Sequence, residues 1–316
     1  MENHPQGISV TAPVSPAIEG TKHILFRPFD LNKWFAIGFC AWLAHFGQGG
    51  FNYNNPFSHR RSRTAADFGN ARTYFHDNLT WIVPLIVGLV VVILVLVVLF
   101  LWLQSRGSFM LLHCVALNRG EVAVPWRKFA REAHSLWLFR LALSAIGLVL
   151  MLPIMGTVFW VFIEMGRNGH GFDPGKIPLL IAIGLAWFCF SLPLMVAVLF
   201  TREFVVPIMY LRGVTCMQGW RVLFSLLEAN TGRFVFYILF QIVIRIALFF
   251  IVLAFVLCTC CIGGLFLIIP YVGAVICLPI NVFARTYSLL YLAQYGEEFN
   301  VFRLPPEPGM DPILTT

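Results

Sequence analysis

Residues 234–262 read FVFYILFQIVIRIALFFIVLAFVLCTCCI, and this run decides the fold. A helix rises 1.5 Å per residue, so about 20 apolar residues cross the roughly 30 Å hydrocarbon layer of a bilayer. The run exceeds that length and carries a single charge, Arg245. Four further stretches meet the same test: Trp81 to Leu103, Leu141 to Ile163, Pro178 to Phe200 and Leu265 to Ala284. Gly263 and Gly264 supply the tight turn between the last two runs. A sixth stretch, Trp34 to Phe46, is apolar for only about 13 residues, a length that suits an interfacial or re-entrant segment as well as a span. The expected architecture is an all-α, polytopic membrane bundle of six transmembrane helices in three hairpins, flanked by cytoplasmic interfacial helices.

Composition agrees. Of 316 residues 59% are hydrophobic and 12% charged, with 31 Phe and 9 Trp. An average soluble domain is about 25% charged, so a soluble globular enzyme is excluded. The net charge of +7 does not imply nucleic acid, because no solvated basic face with stacking aromatics accompanies it. Basic residues beside apolar spans set orientation instead. With six spans, fourteen of the 22 Lys and Arg fall on the side holding both termini and six on the other, Arg245 and Arg285 being assigned to the membrane. The positive-inside bias therefore places both termini in the cytoplasm, with the protein in the cell membrane. The start lacks a cleavable signal pattern, and the eight cysteines lie mainly in apolar runs, which implies no disulfide framework.

Three segments share an order of features. LNRGEVAVPWRKFAREAHSLWLF (117–139) spaces Trp126, Phe129, Ala133 and Trp137 on one helical face and turns Arg127, Lys128 and Arg131 away, an interfacial pattern. LRGVTCMQGWRVLFSLLEANTGR (211–233) repeats it, and AIEGTKHILFRPFDLNKW (17–34) is a shorter version. Each leads into a hairpin whose second member ends at an arginine, Arg106, Arg202 or Arg285, and continues as an amphipathic stretch. The domain expectation is a disordered tail over 1–16, a transmembrane domain over 17–300 with repeats of about 17–115, 116–213 and 214–296, and a Pro-rich disordered tail over 301–316.

The order of LFRPFDLNKWFAIGFCAWLA (25–44), the arginine-ended helices and NTGRFVFYIL (230–239) resembles bacterial six-helix membrane proteins of unknown function. These are loosely similar to the membrane domain fused to some glycerophosphodiester phosphodiesterases. The resemblance implies a lipid-associated role and no phosphodiesterase activity, since no such catalytic domain is present.

Arg245 lies about 18 Å beyond Arg233 along its helix, near mid-membrane, where an unpaired charge costs about 2.5 to 3.5 kcal/mol. Gln241 sits one turn earlier on the same face. Together they make a candidate ligand-binding pair for an anion or lipid phosphate, whose geometry a guanidinium matches; hydrogen bonding to kink carbonyls is the structural alternative. Arg285 with Asn281 forms a second candidate pair, with snorkelling at a cytoplasmic helix end as its alternative. His45, His59, His76 and His170, with Asp67, Asp77, Glu164 and Asp173, collect on the external side without metal-ligand spacing and read as solvated loop residues. The Cys258, Cys260 and Cys261 cluster reads as packing, GFDPGK (171–176) has the wrong spacing for a phosphate loop, and no Gly-x-Ser-x-Gly motif occurs. No catalytic residue, metal or cofactor is expected.

These residues support a non-enzymatic protein that binds or moves a lipid or amphiphile, or supports a membrane complex. Its expected partners are membrane lipids and a membrane-protein partner. An intramembrane enzyme acting on a lipid phosphate is the alternative, although the spans offer only Cys and Ser as nucleophiles. A purely structural subunit is the third reading.

Overall fold

The computed structural model describes residues 8–27, 29–45, 79–120, 122–168, 175, 177–259 and 262–303. These residues form helices and turns, with no strand among them. The helices in chain order are α1 (Val14–Phe26), α2 (Leu31–His45), α3 (Leu79–Leu117), α4 (Ala123–Lys128), α5 (Ala130–Asn168) and α6 (Ile177–Phe200). A π-helical turn (Thr201–Val205) then leads into α7 (Val206–Arg212), α8 (Cys216–Cys258), α9 (Ile262–Ile268), α10 (Pro270–Ile276) and α11 (Leu278–Ala293). The chain divides into two compact units. One comprises Met1–Phe46, Trp102–Phe139 and Leu199–Thr316; the other comprises Gly47–Leu101 and Arg140–Val198.

Among the described residues of the second unit most apolar side chains are exposed: Leu85 is 72% and Phe159 67% exposed. A surface of that kind has no stable solution in water and is the lipid-facing exterior of spanning helices. Among the described residues four helical segments are long and apolar enough to cross a membrane: Val83–Leu117, Ala130–Val161, Ile177–Arg212 and Cys216–Cys258.

The other two expected stretches take different forms. α2 has 15 residues, short of a crossing. The run from Leu265 to Ala284 is divided among α9, α10 and α11. Ile269, ahead of Pro270, is extended at φ −74° and ψ 114°, and Pro279 falls in the first turn of α11. A proline lacks the N–H an inner helical turn requires and disfavours helix in the residue before it, so an apolar run holding two of them breaks into short pieces.

The first unit has a polar and aromatic core. Its centre is built from the end of α3, the π turn with α7, and α11; residues 107–117, 203–210 and 285–289 are buried continuously. α1 packs along α11, and α2 packs along α10. α2 also runs against the end of α3, where the Lys33 amine donates to Asn118 Oδ1. Burial holds that amine below its ordinary value, while the Asp30 carboxylate acts in the opposite direction. Local sequence marks the ends. Thr215 and Gln218 form a reciprocal capping box at the start of α8, and Gly213, at φ +59°, closes α7 through a bond to the Met209 carbonyl. α8 merges the third interfacial helix with its span across a kink at Asn230.

Residues 8–16, expected as part of a disordered tail, are tied to α11. The Gln294 amide exchanges two bonds with the Ser9 main chain, at 2.8 and 3.0 Å, and the Tyr287 hydroxyl donates to the Val10 carbonyl at 3.0 Å. A main chain satisfied by fixed side chains needs no periodicity of its own, which is why composition misreads it. Val301–Arg303 likewise forms a short 3-10 turn with Val301 buried, whereas the rest of the expected C-terminal tail lies outside the described residues.

Cys40 on α2 and Cys114 on α3 are both buried, with sulfurs 3.8 Å apart. Mild oxidation with copper–phenanthroline should join them in one chain, read as a linked pair of peptides by mass spectrometry. Recovery of both thiols unlinked after full oxidation would show that α2 does not lie on α3 in this register.

Candidate polar site at the π turn

The π turn puts Arg202 and Glu203 at the centre of the first unit. Wide turns of this type inside longer helices recur at functional sites, because the extra residue disturbs the ladder and re-aims side chains. Glu203 is 2% exposed, and Arg202 Nε lies 3.6 Å from its carboxylate. Arg285, on α11, is 7% exposed and donates from Nη1 to the Arg202 carbonyl at 2.6 Å. The Glu203 charge also acts on the Arg285 guanidinium. Arg202 Nη2 donates to His45 Nε2, and His45 Nδ1 donates to the Ala41 carbonyl at 2.7 Å. A carbonyl only accepts and a guanidinium only donates, so both bonds together require the neutral imidazole with its proton on Nδ1.

These groups line a small cavity of about 20 Å³, walled by His45, Ser108, Arg202, Glu203, Asn281 and Arg285 together with Ala44 and Leu111. Such a volume exceeds the roughly 10 to 15 Å³ that one water needs. Ser108 turns its hydroxyl proton to the Gln104 carbonyl at 2.8 Å. Against the cluster lies an aromatic layer, with Phe204 in contact with Phe200, Phe234, Tyr237 and Tyr291.

The predicted candidates separate. Asn281 and Arg285 come together at the cavity, one helical turn apart on α11. Arg285 is buried and bonded to a main-chain carbonyl, so the snorkelling alternative does not describe it. Gln241 is 4% exposed, and neither its Oε1 nor the Tyr237 hydroxyl one turn before it has a hydrogen-bond partner among the described residues. Arg245 is exposed, among exposed Ile242, Ile246 and Phe249. Gln241 and Arg245 therefore do not line a common enclosed interior.

His45, read from the sequence as an external loop residue, is corrected: it contacts Arg202, the residue expected at the cytoplasmic end of its span. Two groups in contact share one side of a bilayer, so a first crossing is not complete at His45. Glu203 and Ser108 were not singled out from the sequence, Arg202 was read only as the end of a span and His45 only as a solvated loop residue. A usable signal was Arg202-Glu203, an opposite-charge pair directly following the apolar run of α6. His59, His76, His170, Asp67, Asp77, Asp173, Cys260, Cys261 and GFDPGK (171–176), apart from Gly175, lie outside the described residues. Among the described residues no group of three His, Cys, Asp or Glu could hold a metal ion.

A model described as a family of unknown function, DUF7544, matches residues 8–273. Nothing in that match ties the chain to glycerophosphodiester phosphodiesterases. No curated protein and no solved structure matches the chain.

Proposed function

We propose, on the premise that the chain belongs to the DUF7544 family, whose function is unknown, that it is a non-enzymatic multi-pass membrane protein holding anionic lipid head groups at a basic rim. The observation that carries this reading is a two-faced foot to the second spanning segment. Arg127, Lys128 and Arg131 are exposed, while Phe129, Ala133 and Leu136 are buried. Lys22 on α1, Arg27 just after it and Arg221 on α8 are exposed in the same manner. A basic side chain held beside an anionic bilayer surface contributes about 1 kcal/mol of attraction. Exposed Arg245 extends the same chemistry into the apolar zone, where its most favourable ligand is a lipid phosphate drawn toward it.

In this reading the four apolar segments long enough to cross hold the chain in a bacterial inner membrane as a multi-pass protein. Arg106, Arg202 and Arg285 each stand at the end of an apolar stretch. Arg106 donates to the Trp126 carbonyl at 2.6 Å, as Arg285 does to that of Arg202.

The test is native mass spectrometry of the detergent-solubilised full chain with equal phosphatidylglycerol and phosphatidylcholine. Wild type should retain phosphatidylglycerol selectively, and the variant Arg127→Gln, Lys128→Gln, Arg131→Gln should bind it roughly a hundredfold more weakly. Equal retention of the two lipids by wild type, or unchanged retention by the variant, would remove the basis for the reading.

A further inference from the structure

We infer that Cys40 and Cys114 form an oxidation site, a buried dithiol that hydrogen peroxide converts to an intramolecular disulfide, with Cys114 as the attacking sulfur and Lys33 as the cation that activates it. The site is separate from the exposed basic rim and does not rest on the lipid-contact reading.

The backbone sets the register of the pair. α2 runs antiparallel along the end of α3 and the turn beyond it, so that Ala44 meets Gly107, Cys40 meets Cys114 and Lys33 meets Asn118. The approach is close at both ends. A Cβ at Gly107 would lie 2.5 Å from the Ala44 nitrogen, and one at Gly120 would lie 2.9 Å from the Lys33 Cα. Between those contacts the two sulfurs are 3.8 Å apart, and both residues are 0% exposed. A disulfide needs about 2.05 Å, so each sulfur has to travel only about 0.9 Å between helices held together on either side.

Their surroundings give the two sulfurs different roles. The Lys33 ammonium and Cys114 interact electrostatically. A neighbouring ammonium favours the thiolate, and the thiolate is the nucleophile. Cys40 is held protonated, first by its hydrogen bond with Cys114 and then by burial. It is therefore the second thiol, which resolves the oxidised form of the first. Access is short: Asn118, one turn past Cys114, and Lys33 are half-buried, so the way in from solvent is about 5 Å long. Hydrogen peroxide, little larger than water, suits a sulfur with no exposure of its own.

In the first step the Cys114 thiolate attacks one peroxide oxygen. The O–O bond breaks, the sulfur becomes a sulfenic acid, and hydroxide leaves to take up the proton that Cys114 had released. In the second step the Cys40 sulfur attacks the sulfenic sulfur, the S–O bond breaks, and the Cys40 proton departs with the oxygen as water. Two thiols and one hydrogen peroxide give one disulfide and two waters; the sulfurs lose two electrons and the peroxide gains them. Oxidation joins α2 covalently to α3 and so fixes His45, five residues past Cys40, beside Arg202.

The experiment treats the reduced full chain in non-ionic detergent with hydrogen peroxide, alkylates the remaining thiols and maps the peptides by mass spectrometry. Wild type should yield the Cys40–Cys114 link, reversed by dithiothreitol, and its unfolding transition should rise by about 5 °C on oxidation. With dimedone present, Cys40→Ser should be trapped as the sulfenic adduct at Cys114, whereas Cys114→Ser should give no adduct at Cys40. Lys33→Met should form the link about threefold more slowly. Linkage of that variant by copper–phenanthroline at the wild-type yield shows that α2 still lies in register, so the slower peroxide reaction reports the lost charge. A wild-type pair that copper–phenanthroline joins and peroxide does not would be packing alone and would overturn the inference. So would an unchanged rate in Lys33→Met, or an adduct at Cys40 in place of Cys114.

Discussion

Replacing Glu203 with leucine should destabilise the protein by about 3 kcal/mol, read as a shift of the unfolding transition in detergent followed by tryptophan fluorescence. The carboxylate is 2% exposed and is the counter-charge to two guanidiniums, Arg202 at 3.6 Å and Arg285 through space. Removing one member of a buried charged group typically costs 3 to 5 kcal/mol, because the remaining charge is stranded in a poor solvent. The low end applies, since the Arg202 side chain is 32% exposed and water screens part of the loss. The double variant Arg202→Leu, Glu203→Leu should lie closer to wild type than the single Glu203 variant, since it removes the stranded charge together with its partner. A neutral Glu203→Leu would mean that the carboxylate does not compensate the arginines in the folded protein.

Gly107→Ala should cost about 3 kcal/mol, although alanine is the better helix former by about 1 kcal/mol. Gly107 is where α3 meets the last turn of α2. A Cβ there would lie 2.5 Å from the Ala44 nitrogen and 2.6 Å from the Leu43 carbonyl carbon. Both are backbone atoms, so no side chain can swing aside and the helices must separate. That separation would also disturb His45, the next residue of α2 and the acceptor of the Arg202 bond. Gly147 is the matched control. Nothing lies within 4 Å of its added Cβ, so Gly147→Ala should be neutral or stabilising by up to about 1 kcal/mol. Equal stability of the two variants in thermal unfolding would show that α2 and α3 do not approach at Gly107.

The helical class and four of the apolar spans were legible along the chain, because each depends on residues close to one another in sequence. So was the pairing of Asn281 with Arg285, which needs only a separation of four residues. The ranking of the arginines was not legible. Arg245 stands nearer the middle of its apolar run and is exposed; Arg285 stands at the end of its run and is buried. In a soluble helix the polar face reveals which side is outside. In a spanning helix the lipid side and the packed side are both apolar, and the pattern loses that distinction. The sequence by itself determined that the chain is built from apolar helices, where its basic residues fall, and which pair of polar side chains shares a face of the last helix. Only the tertiary structure decided that α2, α3 and α11 bring His45, Ser108 and Arg285 to the Arg202–Glu203 turn. Those contacts join residues 83 to 157 positions apart, and no local pattern encodes which buried charge will meet which.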